Sequence, residues 1–139
     1  MIDQAERDRR RALVRAHYRV ENAHDLEGIM GTFSKDAEML YNRQSFADDG
    51  SIRWGHGYIG FTETPGAFRG ARNVIDAEHF TDEEIVVEGR LQGAHVGEFL
   101  GFAPTEREVE LPFVAFYRFD AEGNLASERV VMNLGPLHQ

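Results

Sequence analysis

One stretch of this chain restricts the fold more than any other. Val109, Leu111, Phe113, Ala115, Tyr117 and Phe119 occupy every second position of a continuous run. That is the spacing of side chains on one face of a pleated strand, so the run predicts a long strand with one face turned to a core. Before it lies Gly93–Glu106, a glycine- and proline-containing reversal that returns the chain from an earlier strand. The opposite face still carries Val114 and Phe116. A sheet with apolar groups on both faces needs cover on both, which predicts a homo-oligomer, a dimer being the simplest.

The elements on either side complete a sheet and its helical cover. Asp3 with Glu6 has the form of a capping box, and a helix is expected from there to Ala23. Leu13, Ala16, His17 and Val20 fall at i, i+3, i+4 and i+7, predicting one buried stripe that includes His17. Asp25 is placed to cap a short second helix with Leu26, Ile29, Met30 and Phe33 inward. Glu38–Phe46 alternates as a strand, Ala47-Asp48-Asp49-Gly50 reads as a turn, and Ser51–Tyr58 reads as the returning strand. On that strand Ile52, Trp54, His56 and Tyr58 would share one face. Pro65, Gly66 and Gly70 interrupt Gly60–Arg72, where a short or broken helix is expected. Strands are then expected over Asn73–Phe80, Ile85–His95, the long run to Phe119, and Leu125–Leu134.

Helices followed by consecutive antiparallel strands give an α+β architecture, one sheet curled around its helices. At 139 residues the chain fits a single domain over 1–139. A formal net charge of -9 and the lack of a basic stripe argue against nucleic acid. There is no cysteine, which removes disulfides, thiol nucleophiles and thiolate metal sites. No apolar run approaches the ~20 residues of a membrane span, and the polar start does not resemble a signal peptide, so no membrane partner and a cytoplasmic location are expected. No Gly-rich phosphate loop or dinucleotide word occurs, and no H-x-H, H-x-x-x-H or paired-carboxylate word places two metal ligands on one face, so neither a cofactor nor a metal is expected.

The words G-A-H-V-G-E-F-L-G-F-A-P-T-E-R-E-V-E-L-P resemble the G-T-H-x-G-x-F-x-G-x-x-P-T-G-R segment of the SnoaL-like polyketide cyclases, in the nuclear transport factor two-like superfamily. The resemblance covers Arg7–Leu137 and is best from Glu88 onward. It implies a cone-shaped, mostly antiparallel sheet wrapped around N-terminal helices, enclosing an apolar pocket. It also implies that the outer sheet face is buried against a second subunit. The cyclases close with a tryptophan and, four residues later, an aspartate that acts as general acid/base. Those positions read Arg129 and Asn133, and a second cyclase position, a histidine, reads Phe119. An amide cannot exchange a proton near neutral pH, so Asn133 can only orient or bond. The segments F-S-K-D-A-E-M-L-Y and R-F-D-A-E-G-N-L resemble the ketosteroid isomerases instead. Their aspartate base, tyrosine and protonated aspartic acid read Tyr41, His17 and Ala115 here.

Neither mechanism carries over residue by residue, and two function classes stay open. One is a cofactor-free acid/base enzyme of isomerase, cyclase or lyase type, acting on a hydrophobic, aromatic or polycyclic small molecule. The other is a non-catalytic module of the same fold that holds a small ligand. For the enzyme, His79 is the expected base, because it alternates with Ile75 and Ala77 on an apolar strand face where burial would keep it neutral. Tyr41 would join it in catalysis. His17, Trp54, His56, Tyr117 and Asn133 would bind the substrate, the aromatic rings as walls and the polar groups as hydrogen-bonding partners.

Overall fold

The computed structural model describes residues 2–45 and 52–138. Helix α1 (Gln4–Asn22) starts where the Asp3 side chain accepts the Glu6 N–H at 2.9 Å. Glu6 does not close the capping box; its carboxylate pairs with Arg9 and Arg10. The buried face of α1 is Val14, His17, Tyr18 and Glu21, with Leu13 and Val20 at its margins. The stripe therefore sits one residue further round the helix than apolar residues alone predict, because two polar side chains belong to it. Asp25 caps the five-residue helix α2 (Leu26–Met30) by accepting the Gly28 N–H. Phe33, expected on that helix, instead opens strand β1 (Phe33–Tyr41) and is buried there.

At Asn42-Arg43 the chain turns with φ of 50° and 70°, the positive values of a tight hairpin, into the two-residue strand β2 (Gln44–Ser45). The expected turn at 47–50 lies outside the described residues. Its returning strand is not a strand: Ile52–Ile59 is helix α3. Ile52, Trp54, His56 and Tyr58 alternate, but Ile52, Gly55, His56 and Ile59 also repeat at helical spacing, and those four are the buried ones. Trp54 and Tyr58, one turn apart, stack outside at 5.0 Å. The short or broken helix expected over Gly60–Arg72 does not form: 61–67 is irregular, and strand β3 begins early and is long (Phe68–Phe80).

Strands β4 (Glu84–His95), β5 (Glu108–Phe119) and β6 (Leu125–Met132) follow as an antiparallel meander. The sheet order is β2-β1-β6-β5-β4-β3, with β1 and β6 parallel and every other pair antiparallel. This six-stranded, curved and unclosed sheet carries the N-terminal helices, the α+β architecture expected. The long strand has three strands on one side and two on the other. Its row Val109, Leu111, Phe113, Ala115 and Tyr117 is buried, with Phe119 half-buried at the end. Ile85, Val87 and Leu91 of β4 pack beside it. Gly89 lies opposite Phe113 in the β4–β5 register, and a Cβ there would come within 2.7 Å of both the Phe113 ring and the Val74 carbonyl. The missing side chain is what lets that ring lie down. No helix is long and apolar enough to cross a membrane among the described residues.

One irregularity decides where a candidate base points. Ile75 pairs with Gly89, but Ala77 pairs with Glu88, so Asp76 is an extra residue in β3. A bulge of one residue exchanges the two faces of everything beyond it. His79 consequently pairs with Val86 on the outer face rather than continuing the inner row of Asn73 and Ile75.

Candidate functional site

The inner surface between α1, α3 and the sheet holds a cluster of charged side chains. His17 and Glu21 are one turn apart on α1 and so project together. His56 reaches them from α3, and Glu128 from β6, where it shares the inner row with Val130 and Met132. All four are at most 2% exposed.

The hydrogen-bond partners fix how each ring is held. Thr32 Oγ1 donates to the Ile29 carbonyl at 2.7 Å, so it accepts from His17 Nδ1–H at 2.9 Å. His56 Nδ1–H donates to the Ile52 carbonyl at 2.9 Å, the carbonyl being an acceptor only. Both Nε2 atoms therefore point at carboxylates. His17 Nε2 lies 3.1 Å from Glu21 Oε2 and 3.2 Å from Glu128 Oε1, and His56 Nε2 lies 2.8 Å from that same Glu21 Oε2. Asn73 Nδ2 donates to Glu21 Oε1 at 2.9 Å. The Tyr117 hydroxyl donates to Glu128 Oε1 at 2.8 Å and lies 2.5 Å from the Tyr18 hydroxyl. Glu128 Oε2 is buried without a hydrogen-bond partner.

These contacts favour the charged forms of the α1 pair. Burial disfavours the His17 imidazolium, but Glu21 and Glu128 outweigh it and raise the His17 pKa to about 10. Burial likewise opposes ionisation of Glu21, yet His17 and His56 lower its pKa to about 2. At neutral pH the pair is an imidazolium and a carboxylate. Burial, and then the neighbouring carboxylate charges, push Tyr18, Tyr117 and Tyr41 well above the ordinary tyrosine value. Those three hydroxyls stay protonated and can only donate to an anion.

Of the residues singled out in the sequence, His17, His56 and Tyr117 meet in this cluster. Tyr41 is buried on β1, close enough to feel the charge on Glu128. Trp54 is half exposed on the outer side of α3 and is not part of the cluster. Asn133 follows β6 on the exposed side, where its Oδ1 accepts the Gly135 N–H at 2.9 Å. His79 is corrected most: its side chain is 57% exposed and pairs with Glu88 at 2.6 Å. The apolar surroundings expected of it are absent, because the Asp76 bulge turns it outward. A groove of about 690 Å³ also lies on this outer side, lined in part by Glu88, Arg90, Pro112, Val114, Val131 and Asn133. None of the four cluster residues lines it, so it is a feature of the sheet surface separate from the buried cluster.

Glu21, Glu128, Asn73, Tyr18 and Thr32 were not anticipated. Two had readable signals. Glu21 stands four residues after His17, which puts two potential ligands on one helix face. Glu128 alternates with Val130 and Met132, the strand spacing that marks an inner row.

The SnoaL-like domain model matches residues 14–128, most of the chain and all four cluster residues. The chain belongs to the SnoaL-like family. Among solved structures, a candidate SnoaL-like polyketide cyclase from Jannaschia Sp. CCS1 is 19% identical with a TM-score of 0.74, over 91% of this chain and 87% of that one. AclR of Streptomyces galilaeus, a candidate hydroxylase, is 23% identical with a TM-score of 0.72, over 92% and 91%. SalBIII, an epoxide hydrolase/cyclase-like enzyme of pyran ring formation in the polyether salinomycin, is 15% identical with a TM-score of 0.70, over 94% and 95%. At these identities the SnoaL-like fold is what is shared. No curated protein sequence matches this chain.

Proposed function

We propose that this SnoaL-like chain is an acid/base enzyme of isomerase, cyclase or lyase type, acting on a hydrophobic, aromatic or polycyclic small molecule with its own side chains as proton carriers. The observation that carries this reading is the inward cluster of two histidines and two glutamates with one carboxylate oxygen unpartnered. In this reading Glu128 takes the substrate proton at Oε2, and the imidazolium of His17 stabilises the carboxylate between transfers. Tyr117 and Tyr18 are neutral donors suited to an oxyanion that develops nearby, and a dry site makes such bonds effective. Tyr41 lines the same interior. Substrate reaches Glu128 only when α3 and His56 move off the sheet, a motion of the kind that gates many active sites. That SalBIII and AclR are described as enzymes is consistent with this reading.

A second reading has an observation of its own. The cluster is closed, and every polar atom of its four side chains except Glu128 Oε2 has a partner, as in a non-catalytic module whose interior only holds the fold together. A thermal-shift screen of aromatic and polycyclic metabolites, followed by product analysis, separates the two. Product formed by the wild type and lost in Glu128→Gln supports the enzyme; a ligand bound and recovered unchanged supports the module. For assembly, the proposal is a homodimer through the outer sheet face, where Val131 is exposed and Val114 and Phe116 are half-buried.

A further inference from the structure

We propose that His17, Glu21, His56 and Glu128 also form a binding site for a divalent transition-metal ion of the zinc class. One donor atom from each of the four residues lies within 4.8 Å of those of the other three. A four-coordinate zinc ion with bonds of about 2.0–2.2 Å holds its donors roughly 3.3–3.6 Å apart. The contacts of 3.1 and 3.2 Å within the cluster are a few tenths of an ångström short of that, and the contact of 2.8 Å is short by roughly half an ångström or more. Small rotations of side chains would open the space.

The surroundings suit an ion as well as the distances do. Metal-binding histidines characteristically donate their second ring N–H to a fixed acceptor, which aims the other nitrogen. Here Ile52 O and Thr32 Oγ1 are those acceptors, and both Nε2 atoms face the carboxylates at the centre of the cluster. Asn73 and Tyr117 steady the two carboxylates in the same way. Two imidazole nitrogens and two carboxylate oxygens are a donor set for zinc and its neighbours rather than for calcium or magnesium. Two carboxylates also neutralise a doubly charged ion in a site that water does not reach. Without an ion, the cluster is a hydrogen-bonded network that leaves Glu128 Oε2 buried and unpartnered. A bound cation gives that oxygen a partner through two-oxygen ligation or a slight turn of the carboxylate.

The ion and the Nε2 protons compete for the same space. The metal-bound form would staple α1, α3 and β6 together and would have no free acid or base. This goes beyond the acid/base reading and does not depend on it.

The test uses the full chain stripped with a chelator, then titrated with Zn2+ and with Co2+. The expected result is one ion per chain, a higher melting temperature, and the intense visible bands of four-coordinate Co2+. Glu128→Gln should weaken Zn2+ binding at least ~100-fold, since losing a ligand costs more than losing an outer-shell partner. His79→Ala, which removes only the exposed pair with Glu88, should leave binding unchanged. If Glu128→Gln does not fold, the wild-type cobalt spectrum decides. A folded, stripped chain that takes up no ion overturns the proposal, as does one with only the weak bands of six-coordinate Co2+, or one whose binding disappears in His79→Ala. Turnover by a chain that binds no ion would overturn the metal site and leave the acid/base reading standing. Ion binding by a chain with no turnover would do the reverse.

Discussion

Replacing Glu21 by Gln keeps the volume of the side chain and removes its charge. In the wild type its carboxylate faces His56 Nε2 at 2.8 Å, His17 Nε2 at 3.1 Å and Asn73 Nδ2 at 2.9 Å. An amide cannot accept from all three, and it leaves the His17 imidazolium buried with one carboxylate instead of two. Removing one partner of a buried ion pair costs about 3–5 kcal/mol, because the other charge is stranded. The cost should depend on pH. The folded pKa of His17 is raised from 6.5 to about 10, so its contribution is fully present below pH 6.5 and is lost as pH rises through 10. The folded pKa of Glu21 is lowered from 4.5 to about 2, so its contribution is present above pH 4.5 and is lost as pH falls through 2. These shifts describe one interaction seen from its two ends, and their common window is pH 4.5–6.5. Urea unfolding of the metal-stripped wild type and variant should differ by about 3–5 kcal/mol at pH 6, and by clearly less at pH 10. A difference below about 1 kcal/mol at pH 6, or one equal at both pH values, would refute the buried ion pair.

Phe113→Ala should cost roughly 3–5 kcal/mol in the same assay, since the ring is buried on the inner row against Gly89; less than about 1 kcal/mol would mean the row is not core. His79→Ala should change stability by no more than about 1 kcal/mol and leave turnover at the wild-type level, because it removes one exposed ion pair. A large loss of turnover would return the base to the outer face. Light scattering should give about 32 kDa, twice the 15.8 kDa of the chain; a mass of one chain at micromolar concentration would remove the homodimer.

The sheet was legible because its strands alternate cleanly. The Val109–Phe119 row, the turn after Phe80 and the strand that follows it all follow from period-two spacing and turn residues. Two places misled for physical reasons. Ile52–Ile59 satisfies both a strand and a helix period, and in so short a segment only packing against α2 and β1 separates them. His79 lies on the apolar face if β3 is regular, but the one extra residue at Asp76 reverses it, and no local word announces a bulge. The site was half legible. His17, His56 and Tyr117 stood out as polar groups among aromatics. Glu21 and Glu128 did not, because a glutamate on a helix or strand ordinarily faces solvent and neither stands at an acid position of the related enzymes.

The most direct test of the buried cluster is the protonation of His17 itself. Imidazole nitrogen resonances of the metal-stripped chain, assigned with His17→Gln, report which ring atoms carry protons. The expected result is that both His17 nitrogens remain protonated at pH 8, Nδ1 towards Thr32 and Nε2 towards the two glutamates. A His17 that titrates near 6.5, or that has lost its Nε2 proton by pH 8, would contradict the charged cluster on which the functional reading stands.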